Sequence, residues 1–99
     1  MYTIEVKDDS KEKVYIVCPS LISMKEWIYT QLLRAMREDV AMDVTLATMR
    51  EILSYYTTQM INLGDFDDEV GCDSFSTYHD TRYVVKYNPD YRLKAVNII

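Results

Sequence analysis

The sequence predicts an α+β fold: an antiparallel sheet made of an N-terminal hairpin and a C-terminal hairpin, with two helices packed on one face. Three observations lead there. Residues 2–7 and 81–87 alternate in polarity, as half-buried strands do. Between them, apolar residues recur three and four positions apart, which is the period of an amphipathic helix. Only two glycines and two prolines occur in 99 residues, well below the usual rates of about 7% and 5%, so most of the chain is regular structure.

The first strand places Tyr2, Ile4 and Val6 on one face and Thr3, Glu5 and Lys7 on the other. Asp8-Asp9-Ser10-Lys11-Glu12 is a polar turn, and Lys13 to Cys18 follows as a strand apolar on both faces, hence interior to a sheet. Pro19 closes the hairpin. Ser23-Met24-Lys25-Glu26 fits a capping box, which starts a helix running from about Met24 to Glu38. Its polar stripe is Glu26, Thr30, Arg34, Arg37 and Glu38. One flanking apolar stripe is Met24, Ile28, Leu32 and Ala35, and the other is Tyr29, Leu33, Met36 and Val40.

Residues 39–45 hold no glycine or proline, so a break there is not forced; it is placed there with Asp43 or Thr45 as the next N-cap, the alternative being one continuous helix of nearly forty residues. The strongest pattern in the chain comes next. Leu46, Met49, Leu53, Tyr56, Met60 and Leu63 form a single column, read as a buried seam, and it ends one residue before Gly64. That glycine is placed to take the left-handed turn that stops the helix.

Residues 64–73 are acidic and aperiodic, and Ser74 to His79 reads as a short strand. Thr81 to Tyr87 and Tyr91 to Ile98 are taken as the last hairpin, turning at Asn88-Pro89-Asp90. This register pairs Val85 with Leu93 and Tyr83 with Ala95. It gathers Arg82, Lys86, Arg92 and Lys94 on the opposite face.

A chain of this length forms one domain, residues 1–99, and its 48% apolar content supplies a core. No apolar run is long enough to span a membrane, and the start carries no secretory pattern, so an intracellular protein without a membrane partner is expected. Cys18 and Cys72 are too few for a disulfide framework or a zinc site. They read as two thiols, with a single bridge between them as the alternative.

The net charge is −5. Such a protein is repelled by nucleic acid unless its cations gather on one face, and Arg82, Lys86, Arg92 and Lys94 are the candidates for such a face. The bland reading is a solvated surface neutralised by carboxylates such as Glu5. Asp65, Asp67, Asp68, Glu69 and Asp73 resemble a calcium loop, but Val70 and Ser76 occupy positions that need glycine and glutamate. His79 is the only histidine, and nothing in the sequence orients or activates it. No enzyme, cofactor or metal is expected. Nine tyrosines exceed what a small core holds easily, and Tyr55, Tyr56 and Tyr91 are candidate interface residues.

Its tyrosine-rich segments (Tyr55-Tyr56 and Tyr83-Val84-Val85-Lys86-Tyr87) and its Ile98-Ile99 end resemble those of small orphan proteins from hyperthermophilic archaeal filamentous and rod-shaped viruses. Two glutamines and three asparagines suit a hot habitat, whereas the low proline content and six methionines depart from it. The resemblance implies a thermostable, virus-encoded protein working in a host cytoplasm, and it carries no functional residue. The leading expectation is a protein-interaction module, acting on a protein partner or on a second copy of itself. Nucleic-acid binding through the C-terminal cations is the alternative.

Overall fold

The computed structural model describes residues 1–10, 12–67, 72–79, 81–87 and 97–98. Strands β1 (Tyr2–Lys7) and β2 (Val14–Cys18) are followed by helices α1 (Leu21–Ala41) and α2 (Leu46–Asp65). Strands β3 (Cys72–Ser76), β4 (Arg82–Tyr87) and the two-residue β5 (Asn97–Ile98) complete the chain. The sheet order is β3-β4-β1-β2-β5, antiparallel except for β5, which joins β2 in parallel. The α+β class, an N-terminal strand pair, a C-terminal strand pair and two helices are all present.

The N-terminal hairpin has the anticipated alternation. Ile4 stands opposite Ile16, and Tyr2 opposite Cys18. The turn between the strands is fastened by side chains: the Ser10 N–H donates to Asp8 Oδ1 at 2.7 Å, and the Glu12 N–H to Ser10 Oγ at 3.1 Å. In β2, Val14 and Tyr15 are exposed while Ile16, Val17 and Cys18 are buried. The buried half is the half that β5 flanks, through Ile16–Asn97 and Val17–Ile98.

The first helix starts three residues before the anticipated point. Ser20, not Ser23, is the N-cap: its Oγ accepts the Ser23 N–H, and Ser23 Oγ accepts the Ser20 N–H, both at 3.1 Å. Ser23 thus does in the third helical position what a glutamate usually does. The extra turn brings Leu21 against the core. The two helices are separate, with Thr45 as the second N-cap, its Oγ1 accepting the Thr48 N–H at 3.2 Å.

The end of α2 also differs. Gly64 lies inside the helix, which runs to Asp65 and is capped by Phe66 in an extended conformation with φ −64°. No left-handed residue is needed because the chain must continue straight into the core. Phe66 is buried there and packs edge-on to Tyr2 and Phe75, each with ring centroids 6.3 Å apart. Lys25 of α1 closes the helix end by donating to the Gly64 carbonyl at 2.8 Å.

The largest correction concerns the last hairpin. Both edges of β4 are occupied, Val85 pairing with Ile4 on one side and with Asp73 on the other. Of the anticipated partner strand, the described residues Asn97 and Ile98 pair with β2 instead. The C-terminal strand pair is β3–β4, and residues 97–98 lie at the far side of the sheet. The anticipated partners Tyr91 to Lys94 fall outside the described residues. The alternation read in 82–87 is nonetheless correct: Tyr83 and Val85 are buried, and Arg82 and Lys86 are exposed.

The core lies between the sheet and the helical layer. Ile4, Val85 and Phe75 from the strands meet Met24, Ile28 and Leu32 of α1 and Ile52, Tyr56 and Leu63 of α2. Trp27 stands edge-on to Tyr83 at 5.6 Å. β3 borders the sheet on the side away from β1, and side chains cap its outward N–H groups: Ser74 donates to Asp73 Oδ1 at 2.7 Å, and Ser76 to Gln59 Oε1 at 3.1 Å. Such caps blunt an edge that would otherwise template another strand. Among the described residues no helix is long and apolar enough to cross a membrane.

Candidate functional site

The heptad column of α2 is divided by the fold. Tyr56 and Leu63 are buried, Met49 and Met60 are half-buried, and Leu46 and Leu53 are 63% and 39% exposed. Ile52, one residue off the column, is buried in place of Leu53. The reason is geometric. A helix lying on both a sheet and a second helix buries a wide face, and its centre falls between the column and the neighbouring row of Ile52, Tyr55 and Gln59. The column therefore runs along one margin of the buried face, the margin turned toward α1.

There it meets the second apolar stripe of α1, of which Tyr29 is 47% exposed and Leu33 half-buried. Between the helices lies a shallow cleft of about 250 Å³, lined by Lys25, Glu26, Tyr29, Met60, Leu63 and Gly64. A second depression adjoins it at Tyr29 and is lined by Thr30, Leu33, Arg34, Arg37 and Glu38. Ile22 (69% exposed) and Ile61 add exposed apolar surface to the same two helices. Large side chains exposed together in this way, with charged residues around them, mark contact surfaces more often than scattered exposure does.

The second feature is a buried polar cluster. Asp39 continues the apolar stripe Met24-Ile28-Leu32-Ala35 at the next helical position and is only 8% exposed. Its Oδ2 accepts the Tyr56 hydroxyl at 2.5 Å, and its Oδ1 faces His79 Nε2 at 3.3 Å. Tyr56 Oη in turn accepts the Tyr78 N–H at 3.0 Å. Tyr55 shares a short hydrogen bond with Ser76 Oγ, and its ring stands edge-on to those of Tyr56 and Tyr78, both at 5.6 Å. Burial raises the pKa of the Tyr56 hydroxyl, and the hydrogen bond to Asp39 raises it further. The Tyr78 hydroxyl is raised chiefly by its hydrogen bond to the Glu51 carboxylate.

The chain matches no protein-family model, no curated protein and no solved structure.

Chemically the polar cluster is a tether. A carboxylate that holds an imidazole in one orientation also occurs in catalytic dyads, but here the Tyr56 hydroxyl takes the other carboxylate oxygen. The same hydroxyl anchors the backbone at Tyr78, and Thr77 and Thr81 lace the loop across itself, the Thr77 N–H donating to the Thr81 carbonyl at 2.8 Å. The cluster thereby fixes the β3–β4 connection to both helices. Its residues were legible in part. An aspartate where an apolar stripe should continue is a signal for a buried carboxylate with a partner. The identity of that partner was not legible, because Tyr56 and His79 are 17 and 40 residues away in sequence. Among the described residues no group of three or more His, Cys, Asp or Glu side chains is placed to hold a metal ion.

The anticipated interface tyrosines part company. Tyr56 is fully buried with its hydroxyl engaged, so it offers nothing to a partner, whereas Tyr55 is half-buried. Tyr91 lies outside the described residues, as do Arg92 and Lys94. Of the basic face, Arg82 and Lys86 are exposed on the side of the sheet away from the helices. Lys86 stands opposite Thr3 on one side and Cys72 on the other. Arg82 stands opposite Lys7. Glu5, opposite Val84, sits on the same face between the two cation-bearing positions of β4. Cys18 is a free, buried thiol, so the alternative of a bridge to Cys72 is not realised.

Proposed function

We propose that this chain is a non-enzymatic protein-interaction module acting inside a cell, its contact surface being the outer face of the α1–α2 layer. The observation that carries the reading is the divided column: Leu46 and Leu53 follow the same helical rule as Tyr56 and Leu63 yet stay in solvent. Apolar residues held on a rigid helix beside an apolar cleft supply the kind of anchors that dominate interface energies. A protein partner or a second copy of the chain would cover them. The free Cys18 thiol is in keeping with a reducing compartment, and a virus-encoded origin belongs to the same proposal.

The test pairs wild type with a Tyr29→Ser/Leu53→Ser variant. Both residues are well exposed, so the melting temperature should move little, while affinity for the copurifying partner, or the dimer fraction in sedimentation, should fall about tenfold or more. A variant that keeps every association of the wild type sinks the proposal.

A second reading, nucleic-acid binding, is favoured by the pairing of Lys7 with Arg82 beside exposed Lys86. It requires affinity that drops steeply with salt. It is abandoned if Arg82→Ala/Lys86→Ala leaves low-salt gel shifts unchanged.

A further inference from the structure

The cleft between the helices differs in charge from the molecule that carries it. The chain bears a net charge of −5, yet the residues lining the cleft and its neighbouring depression include Lys25, Arg34 and Arg37 against Glu26 and Glu38. Arg50 adds a further cation, since it lies four residues after Leu46 and three before Leu53, on the same helical face. Glu51, the neighbouring carboxylate, is directed to Tyr78. An apolar seam bordered mainly by cations is thus set into an acidic protein.

The spacing of the exposed apolar side chains supplies the shape of the occupant. Ile22 and Tyr29 on α1, and Leu46 and Leu53 on α2, are each seven residues apart, two helical turns. A groove between two antiparallel helices with anchors at that interval accepts a third helix, whose own apolar residues recur at the first, fourth, fifth and eighth positions.

Resting on the reading of this layer as a contact surface, we infer that its occupant is an acidic amphipathic helix of another protein. A second copy of the chain fits less well, because a twofold contact sets this face against itself and brings its excess of cations to the same excess. An acidic helix instead places carboxylates beside both while its apolar stripe covers Tyr29, Met60 and Leu53.

The experiment is a selection against the whole chain. The library displays helical peptides of about 18 residues, roughly five turns. Their apolar positions are fixed at the helical spacing, and the remaining positions are drawn from glutamate, lysine, glutamine and serine. Selected peptides should be rich in glutamate, and their affinity should fall about tenfold or more between about 50 mM and about 500 mM salt. An Arg37→Glu/Arg50→Glu protein should lose those peptides by a similar factor and select lysine-rich ones.

A pool with no charge preference, selected by wild type and lost by Tyr29→Ser/Leu53→Ser, overturns the acidic occupant and leaves the contact surface standing. A pool that binds the serine variant equally well, or no enrichment together with no binding to vesicles of phosphatidylserine, overturns both. Binding to vesicles of phosphatidylserine with no peptide enriched overturns the inference in favour of a lipid surface.

Discussion

At Gly64 an added methyl group would meet nothing within 4 Å, and the residue is helical. Gly64→Ala should therefore stabilise the protein by about 0.5 kcal/mol, chiefly by restricting the unfolded chain, and thermal melting should show it as a small rise. A left-handed glycine would give the opposite sign. The Asp39 cluster is sensitive in a graded way. Tyr56→Phe strips the Tyr78 N–H of its acceptor and Asp39 Oδ2 of its donor, which should cost about 2 kcal/mol or more. His79→Ala removes a half-exposed partner and should cost about 1 kcal/mol or less. Chemical denaturation of both variants, followed through Trp27 fluorescence, checks the order.

Cys18 sets an alkaline limit. Burial pushes its thiol up from 9.0 to about 11. In the unfolded chain the thiol ionises from about pH 9, while the folded protein keeps the proton, so the native state binds more protons across that window. Stability is then full below pH 9 and declines as pH rises toward 11. The buried Tyr83 shifts the same way for the same reason. Cys18→Ala should flatten the fall in melting temperature over pH 9–11, and superimposable curves would refute the assignment.

Among the elements, α2 shows how far a helical pattern determines packing. Truncating Leu63 to alanine opens a cavity in the core and should cost about 2–5 kcal/mol. Leu46→Ala, in the same column, should change stability by about 0.5 kcal/mol or less. Equal effects at the two sites would contradict the divided column. β3 is an edge held closed by side chains from the strand itself (Asp73) and from α2 (Gln59). Gln59→Ala frees the Ser76 N–H and should raise the tendency to self-associate at high concentration, read by light scattering.

For the whole molecule, the chain order matters more than any single contact. β1 is formed by the first residues but sits inside the sheet, paired on one side with β4 from the other end of the chain. The sheet cannot assemble until that late strand arrives, which places folding among the slow, long-range topologies. A fragment ending at Asp67 should retain helical circular dichroism but lose its cooperative melt, since β1 then has a bare edge and the core lacks Phe75 and Val85. The thermostability that the proposed viral origin implies is tested at this scale too: a melting temperature of about 45–65 °C, ordinary for mesophile domains, would count against it.

Residue order alone was enough for the local rules: alternation in β1 and β4, the helical periodicity on either side of residues 42–45, and a polar turn at Asp8 to Ser10, because each depends on neighbours a few positions apart. Tertiary structure decided the rest. Which serine caps α1 depended on whether Leu21 could reach the core. Which half of the α2 column is buried depended on where the sheet and α1 lie around it. The partner of β4 depended on which strand could reach its free edge, and β1 took it. The six-residue column was legible as a pattern, but that part of it faces solvent, the feature on which the proposed function rests, was settled only when two other elements had claimed the remainder.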